Sequence, residues 1–115
     1  MANEARTELI KRWQIKGIDR CGEGIARFYG KDDTILFGTF SLAPMAVGGV
    51  DKGHPRGEYF YCQEGRFLLI LHRSEKDKEY LEVEEGDAVF VPKNVDHQLI
   101  NDIDKKMVAT FVIMF

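Results

Sequence analysis

Short stretches rich in β-forming residues recur along this chain, and clusters of turn-forming residues close each of them. Eight such stretches occupy most of the chain after residue 23: "GIARFYG", "TILFGTFSLAP", "EYFYC", "RFLLILHR", "EYLEV", "DAVFVP", "DHQLIN" and "KMVATFVIMF". The clusters between them include "KDD", "GGVDKG", "SEKDK" and "EEGD". Many short strands at this close spacing predict an all-β sandwich or barrel. A length of 115 residues suits one domain with one core.

Composition excludes several other classes of protein. Apolar residues make up 44% of the chain and charged residues 30%, as in ordinary globular domains. No apolar run approaches the ~20 residues of a membrane helix, and the first residues lack the apolar core of a secretory signal. We therefore expect a cytoplasmic protein with no membrane partner. A net charge of -3 argues against a nucleic-acid-binding surface, and two cysteines are too few for a disulfide scaffold.

The N-terminal segment "NEARTELIKRW" has the periodicity of a short helix. Asn3 is a suitable cap, and the apolar face would consist of Ala5, Leu9, Ile10 and Trp13. We assign residues 1–30 to this helix and a lead-in strand that pack on a barrel, and residues 31–115 to the barrel itself.

Two of the predicted strands are apolar on both faces. "FLLIL" and "MVATFVIMF" show no alternation of apolar and polar residues, which is typical of strands that are buried on both sides. One face would fill the barrel interior, and the other would meet a second sheet, the N-terminal helix or another subunit. The closing "FVIMF" would otherwise form an exposed edge strand prone to self-association. We therefore predict a homodimer.

A histidine and a glutamate mark one candidate site. Glu58 follows His54 in "HPRGE" and opens the strand "EYFYC". Because side chains alternate along a strand, Glu58 shares a face with Phe60 and Cys62, and the two intervening tyrosines take the other face. A carboxylate on an apolar face is costly unless it has a partner, and a bound cation is one such partner. Alternatively, His54 is an ordinary loop histidine and Glu58 pairs with Lys52 or an arginine beside it.

A second candidate site lies far along the chain. His97 begins the strand "DHQLIN" after a turn that contains Pro92 and Asn94. Alternation places Leu99 and Asn101 on the same face as this histidine. Taken alone, His97 is equally suited to capping the turn.

The spacing of these residues resembles the two sequence motifs of the cupin family. The first motif has two histidines one residue apart, then a glutamate, then a glycine seven positions on, and Glu58 and Gly65 match its last two positions. The second motif runs from a glycine through a proline and a second glycine to a histidine and an asparagine. The matching residues are Gly86, Pro92, Asn94, His97 and Asn101. Asn94 replaces the second glycine, which is a mild change because asparagine tolerates positive φ.

The resemblance covers roughly residues 35–115 and implies a double-stranded β-helix, or jelly-roll barrel, that holds a divalent metal ion at its mouth. By position, the metal ligands would be His54, Glu58 and His97. The first histidine of the family pattern is replaced by Lys52, and a protonated lysine is not a ligand. Two histidines and one carboxylate with open coordination positions suit iron(II), and manganese, nickel and zinc are alternatives.

The resemblance leaves two functions open. The first is a metal-dependent enzyme, a dioxygenase, isomerase or lyase, acting on a small carbonyl, carboxylate or sugar-like molecule. The second is a ligand-binding module without a catalytic metal. The substrate-binding candidates are Phe60, Cys62 and Leu99, which share faces with the ligands, and Lys52, whose charge would suit an anion. No catalytic acid or base is identified from the sequence.

Overall fold

The computed structural model describes residues 7–115. All eight predicted strands are confirmed within this range, and a further short strand precedes them. A single turn of 3-10 helix, Arg12–Gln14, comes before the strands. The strands are β1 (Ile18–Arg20), β2 (Gly24–Lys31), β3 (Ile35–Leu42), β4 (Glu58–Glu64), β5 (Arg66–His72), β6 (Lys78–Glu84), β7 (Ala88–Val91), β8 (Asp96–Ile100) and β9 (Met107–Met114).

The N-terminal helix is small in the part of the chain that the structure describes. It consists of the 3-10 turn alone, and Leu9 and Trp13 are exposed. Asn3 and Ala5, which were expected to begin the helix, lie outside the described residues. No helix among residues 7–115 is long and apolar enough to cross a membrane.

The strands form two sheets that enclose one core, which confirms the all-β jelly-roll fold. The larger sheet has the order β1-β2-β3-β9-β4-β7, and the smaller has the order β6-β5-β8. Inward-facing side chains of both sheets form a single cluster that contains Leu42, Phe60, Cys62, Phe67, Leu69, Leu71, Val91, Leu99, Met107, Ala109, Phe111 and Ile113. The predicted burial of β5 is confirmed, since Phe67, Leu69, Ile70 and Leu71 are all buried.

The last strand occupies the interior of the larger sheet. β9 pairs with β3 on one side and with β4 on the other. The expectation that "FVIMF" would form a sheet edge is therefore wrong. Its residues alternate between buried and half-buried positions, so one side of β9 fills the core while the other contributes to the outer surface of the sheet.

A segment from the β3–β4 connection runs beside β8 and positions the candidate site. Backbone hydrogen bonds link Asn101 N to Ala46 O (3.0 Å) and Gly48 N to Leu99 O (3.0 Å). Farther along, Asp51 N donates to His97 O (2.7 Å) and His97 N donates to Asp51 O (3.0 Å). Asp51 and His97 thus lie directly opposite each other, although 45 positions of sequence separate them.

The motif residues have the structural roles that their types suggest. Gly65, Gly86 and Asn94 all have positive φ, at 77°, 91° and 60°. The replacement of glycine by Asn94 is therefore accommodated as expected. Asn101 is buried, and its amide nitrogen lies 3.0 Å from the Ala43 carbonyl and 2.6 Å from the Lys105 carbonyl, which ties the end of β8 to the β3–β4 and β8–β9 connections.

Candidate metal centre

Four side chains converge at one end of the core. The structure brings together the three predicted ligands, His54, Glu58 and His97, and adds Asp51 to them. One potential ligand atom from each residue lies within 4.8 Å of all the others. Imidazole nitrogens and carboxylate oxygens are common ligands of divalent transition metals.

The closest contact in the cluster fits two ligands of one cation better than it fits a hydrogen bond. His97 Nε2 lies 2.8 Å from Glu58 Oε1, yet neither atom has a hydrogen-bond partner of suitable geometry among the described residues. His54 Nε2, 3.4 Å from the same oxygen, is also buried without such a partner. Buried polar atoms are rarely left unpaired. A shared cation would satisfy all three atoms at once.

A hydrogen bond at the ring nitrogen that faces away from the cluster fixes the orientation of His97. Its Nδ1 lies 3.0 Å from the backbone carbonyl of Val95, and because a carbonyl only accepts, Nδ1 is the donor. In the neutral ring, Nε2 then carries the lone pair and points into the cluster, as in most histidine ligands of metals. Phe60 packs edge-on against the ring at a centroid distance of 5.8 Å and holds it in place.

Asp51 is the member of the cluster that sequence reasoning missed. Its Oδ2 lies 3.7 Å from His54 Nε2 and 3.8 Å from His97 Nε2. The available signal was an acidic residue next to Lys52, the position at which the family pattern has its first histidine. The structure exposes Lys52, whereas its neighbour turns inward. The cluster therefore has two histidines and two carboxylates, and its charge of about −2 with neutral rings matches a divalent cation.

Electrostatic interactions within the cluster shift the pKa values of three of its side chains when no cation is bound. Interaction with Asp51, and then with Glu58, raises the pKa of His54 to about 9 against an opposing effect of burial. The same interaction with His54 lowers the pKa of Asp51, although partial burial opposes it. Burial alone would lower the pKa of His97, but the Glu58 carboxylate outweighs it and the pKa is raised. A metal ion would displace these histidine protons on binding.

The cluster opens into a cavity of about 180 Å³ within the barrel. Phe60 and Leu99, two of the substrate-binding candidates, line this cavity. The other two do not: Lys52 is exposed on the loop, and Cys62 is fully buried in the core. The Cys62 thiol lies 3.5 Å from the Gly65 carbonyl, toward the opposite end of β4 from Glu58.

Several cavity-lining residues were not identified from the sequence. Arg20 and Cys21 come from β1 and the turn that follows it, while Phe28, Leu36 and Phe40 come from β2 and β3. β3 turns Leu36, Phe40 and Leu42 toward the core. The apolar residues of β2 and β3 made an inward-facing side predictable from the sequence. The three residues of β1 are all exposed and show no such pattern.

Comparison with known proteins identifies the family. The cupin domain pattern matches residues 38–113. Glucose-6-phosphate isomerase from Thermococcus litoralis is 30% identical to the chain over 86 residues, which is 68% of this chain and 45% of that protein. The chain thus spans about half the length of this curated relative.

Two solved structures illustrate how widely the fold is used. Drosophila melanogaster CENP-C bound to CAL1 aligns with a TM-score of 0.76 at 15% identity, covering 93% of this chain and 85% of that chain. FeII HppE in complex with substrate aligns with a TM-score of 0.77 at 10% identity, covering 93% of this chain and 60% of that chain. At such low identity these similarities concern the fold alone. Because the cupin pattern spans residues 38–113 and includes both motifs, this chain belongs to the cupin family.

Proposed function

We propose that this cupin is a metal-dependent enzyme that acts on a small molecule bound in the barrel cavity. The observation that carries the proposal is the group of three buried atoms without hydrogen-bond partners: His54 Nε2, Glu58 Oε1 and His97 Nε2. They converge with Asp51 at the end of a cavity. A site that pairs orphaned metal-ligating atoms with room for a ligand is suited to catalysis rather than to a structural ion.

The ligand set supports a divalent transition metal with open positions. Two imidazole nitrogens and two carboxylate oxygens suit iron(II), manganese, nickel or zinc. A bound metal would supply either Lewis-acid polarisation of a carbonyl or carboxylate, as in an isomerase or lyase, or oxygen activation, as in a dioxygenase.

The chain's own residues supply orientation and exclusion of water. Phe60 and Leu99 bring apolar surface up to the ligands, which favours displacement of water by substrate. Asp51 and His54 are the half-buried members of the cluster, and both line the cavity. The part of a carbonyl or carboxylate substrate that does not contact the metal would lie in the cavity, between its apolar walls.

Metal analysis of protein purified without chelators tests the proposal. We expect near-stoichiometric metal in the wild type and its loss in His97→Ala, since that substitution removes the most buried nitrogen ligand. His72→Ala is the matched control, because His72 hydrogen-bonds to Gln98 outside the cluster. Equal metal content in both variants, or no metal in any protein after reconstitution with the four candidate ions, would refute the metal site.

A metal-free ligand-binding module is the second candidate, and the cluster's own charge balance favours it. With its pKa raised to about 9 by Asp51 and Glu58, His54 is protonated at neutral pH and compensates part of the acidic charge. Such a network can exist without a cation. Wild-type protein that takes up no metal yet binds small molecules in the cavity would support this alternative.

We also propose a homodimer that forms through the outer face of the larger sheet. Four outward-facing residues are direct cross-strand neighbours across β3, β9, β4 and β7: Phe37, Val112, Tyr59 and Phe90. Phe37, Tyr59 and Phe90 are 42%, 51% and 44% exposed. The adjacent row contains Thr39, Thr110, Tyr61 and Ala88. Neither row carries a charge, and interface centres are depleted in charged residues.

We further propose that the protein is cytoplasmic. Both cysteines are free and not paired with each other, Cys62 being buried and Cys21 half-buried. Free thiols suit a reducing compartment. Detection of this protein in a cytoplasmic fraction, with a reduced Cys21, would be the corresponding observation.

A further inference from the structure

Apart from the metal cluster, Arg20 and Gln98, the walls of the cavity are mainly hydrophobic. Five phenylalanines line it, together with Leu36, Leu99 and Ile113. The volume is about 180 Å³, and a cavity of roughly 150 Å³ with similar walls accommodates benzene. A cavity of this size and lining suits an apolar body about as large as one six-membered ring. A sugar would leave its hydroxyl groups unpaired against these walls, at a cost for each one.

A positively charged cleft adjoins the cavity, and we refer to their junction at Arg20 as the mouth of the cavity. This cleft shares Arg20, Phe28 and Leu36 with the cavity and adds Tyr29, Gly30 and Lys31. Arg20 and Lys31 are both exposed, and neither forms an ion pair with any residue in the range 7–115. No carboxylate lines this cleft. An arginine without a partner beside an apolar cavity is suited to binding a carboxylate or phosphate.

The charge is distributed unevenly along the cavity. The carboxylates Asp51 and Glu58 belong to the metal cluster at one part of the wall, whereas Arg20 is shared with the outer cleft. An anionic group is attracted to the mouth and, in the absence of metal, repelled from the cluster. A ligand with its anionic group at Arg20 would direct the rest of its body toward the cluster.

We propose that the ligand of this protein is a small organic anion with a hydrophobic body about the size of one six-membered ring, whose carboxylate or phosphate is bound by Arg20 at the mouth. Lys31 adds a second positive charge to the same cleft. The inference names the ligand class of the site described above and in that sense rests on the proposed function. It differs from the sugar phosphate that the name of the curated relative implies for that protein.

Titration by isothermal calorimetry with a matched set of probes tests the ligand class. Benzoate and phenyl phosphate combine a ring with an anion, and they distinguish a carboxylate from a phosphate ligand. Benzyl alcohol lacks the charge, acetate lacks the ring, and glucose 6-phosphate has the charge with a polar body. We expect benzoate or phenyl phosphate to bind more tightly than all three controls. Tighter binding of glucose 6-phosphate, acetate or benzyl alcohol would overturn the inference.

Variants test the role assigned to Arg20. Arg20→Gln should weaken binding of the preferred anion by about tenfold, and leave the weak binding of benzyl alcohol unchanged. Arg12→Gln is the control, because it removes the same charge from the exposed 3-10 turn. Equal affinities of these two variants for the anion would overturn the inference.

The same titration separates this inference from the metal proposal. It is repeated on His97→Ala, which should lack metal, and on wild type treated with a chelator. Ring-bearing anions that still bind in an Arg20-dependent manner support the ligand class even if no metal is ever found. A protein that contains stoichiometric metal but shows no dependence on Arg20 retains the metal site and refutes the ligand class.

Discussion

The stability of the metal-free protein should fall as the pH rises from about 6 to about 8.5. Interaction with Asp51 and Glu58 raises the pKa of His54 from 6.5 in the unfolded chain to about 9 in the folded protein. A raised pKa means that the folded state binds the proton more tightly. The resulting stabilisation is complete below pH 6.5 and is lost as the pH rises toward 9. The pKa of His97 is raised as well, so its contribution has the same sign.

The size of the effect follows from the shift in pKa. At about 1.36 kcal/mol per pKa unit, the shift of His54 corresponds to an upper limit of roughly 3 kcal/mol. The side chains of His54 and Asp51 keep 17% and 32% of their exposure, and solvent screening reduces the value. We expect a loss of about 1–2 kcal/mol in the free energy of unfolding. The raised pKa values of Cys21 and Cys62 affect stability only above this range of pH.

Urea denaturation of chelator-treated protein at several pH values measures this loss directly. Asp51→Asn provides the comparison, because Asp51 is the largest cause of the shift at His54. In that variant the curve of stability against pH should be flatter. A wild-type free energy of unfolding that stays constant or rises between pH 6 and 8.5 would refute the reasoning. So would an Asp51→Asn variant whose pH dependence equals that of the wild type.

Three further predictions follow from the same structure. Metal affinity should increase with pH, because the ion displaces protons from His54 and His97. Fluorescence titration with zinc at two pH values measures this affinity, and a constant value would contradict the ligand assignment. Asn101→Ala should lower the free energy of unfolding by about 2 kcal/mol, since the buried carbonyls that Asn101 contacts lose their partner. Urea denaturation measures the loss, and a change below about 0.5 kcal/mol would contradict the prediction. If the proposed homodimer forms, Phe90→Lys should convert it to a monomer in analytical ultracentrifugation, whereas Lys78→Ala on the other sheet should not. A dimer that survives Phe90→Lys would contradict this interface, and a monomeric wild type would contradict the dimer.

The strands were predictable because local signals define them. Turn-forming clusters separate every pair of stretches from β2 to β9, and β-forming residues fill the stretches themselves. β1 has three residues, all exposed, so no apolar pattern marks it. The order of strands has no local signal, which is why β9 was expected at an edge although it lies in the middle of the larger sheet.

The candidate site was predictable to the extent that motif spacing encodes it. His54, Glu58 and His97 occupy positions defined relative to glycines, a proline and an asparagine. Asp51 lies outside this pattern, because its place in the cluster depends on pairing with His97 across the barrel. Arg20 depends in the same way on the pairing of β1 with β2. Both residues reach the cavity through contacts between distant segments, which sequence spacing does not reveal.

The presence of Asp51 in place of a third histidine gives Arg20 its importance. Two neutral histidines and two carboxylates around a divalent cation have a net charge near zero, whereas three histidines and one carboxylate would keep a positive charge. A neutral centre offers little long-range attraction to an anion. The exposed arginine at the mouth supplies that attraction instead. The carboxylate of Asp51 and the position of the short strand β1 would therefore act together in the proposed function: one lowers the net charge of the metal cluster, and the other places a positive charge where a ligand would enter.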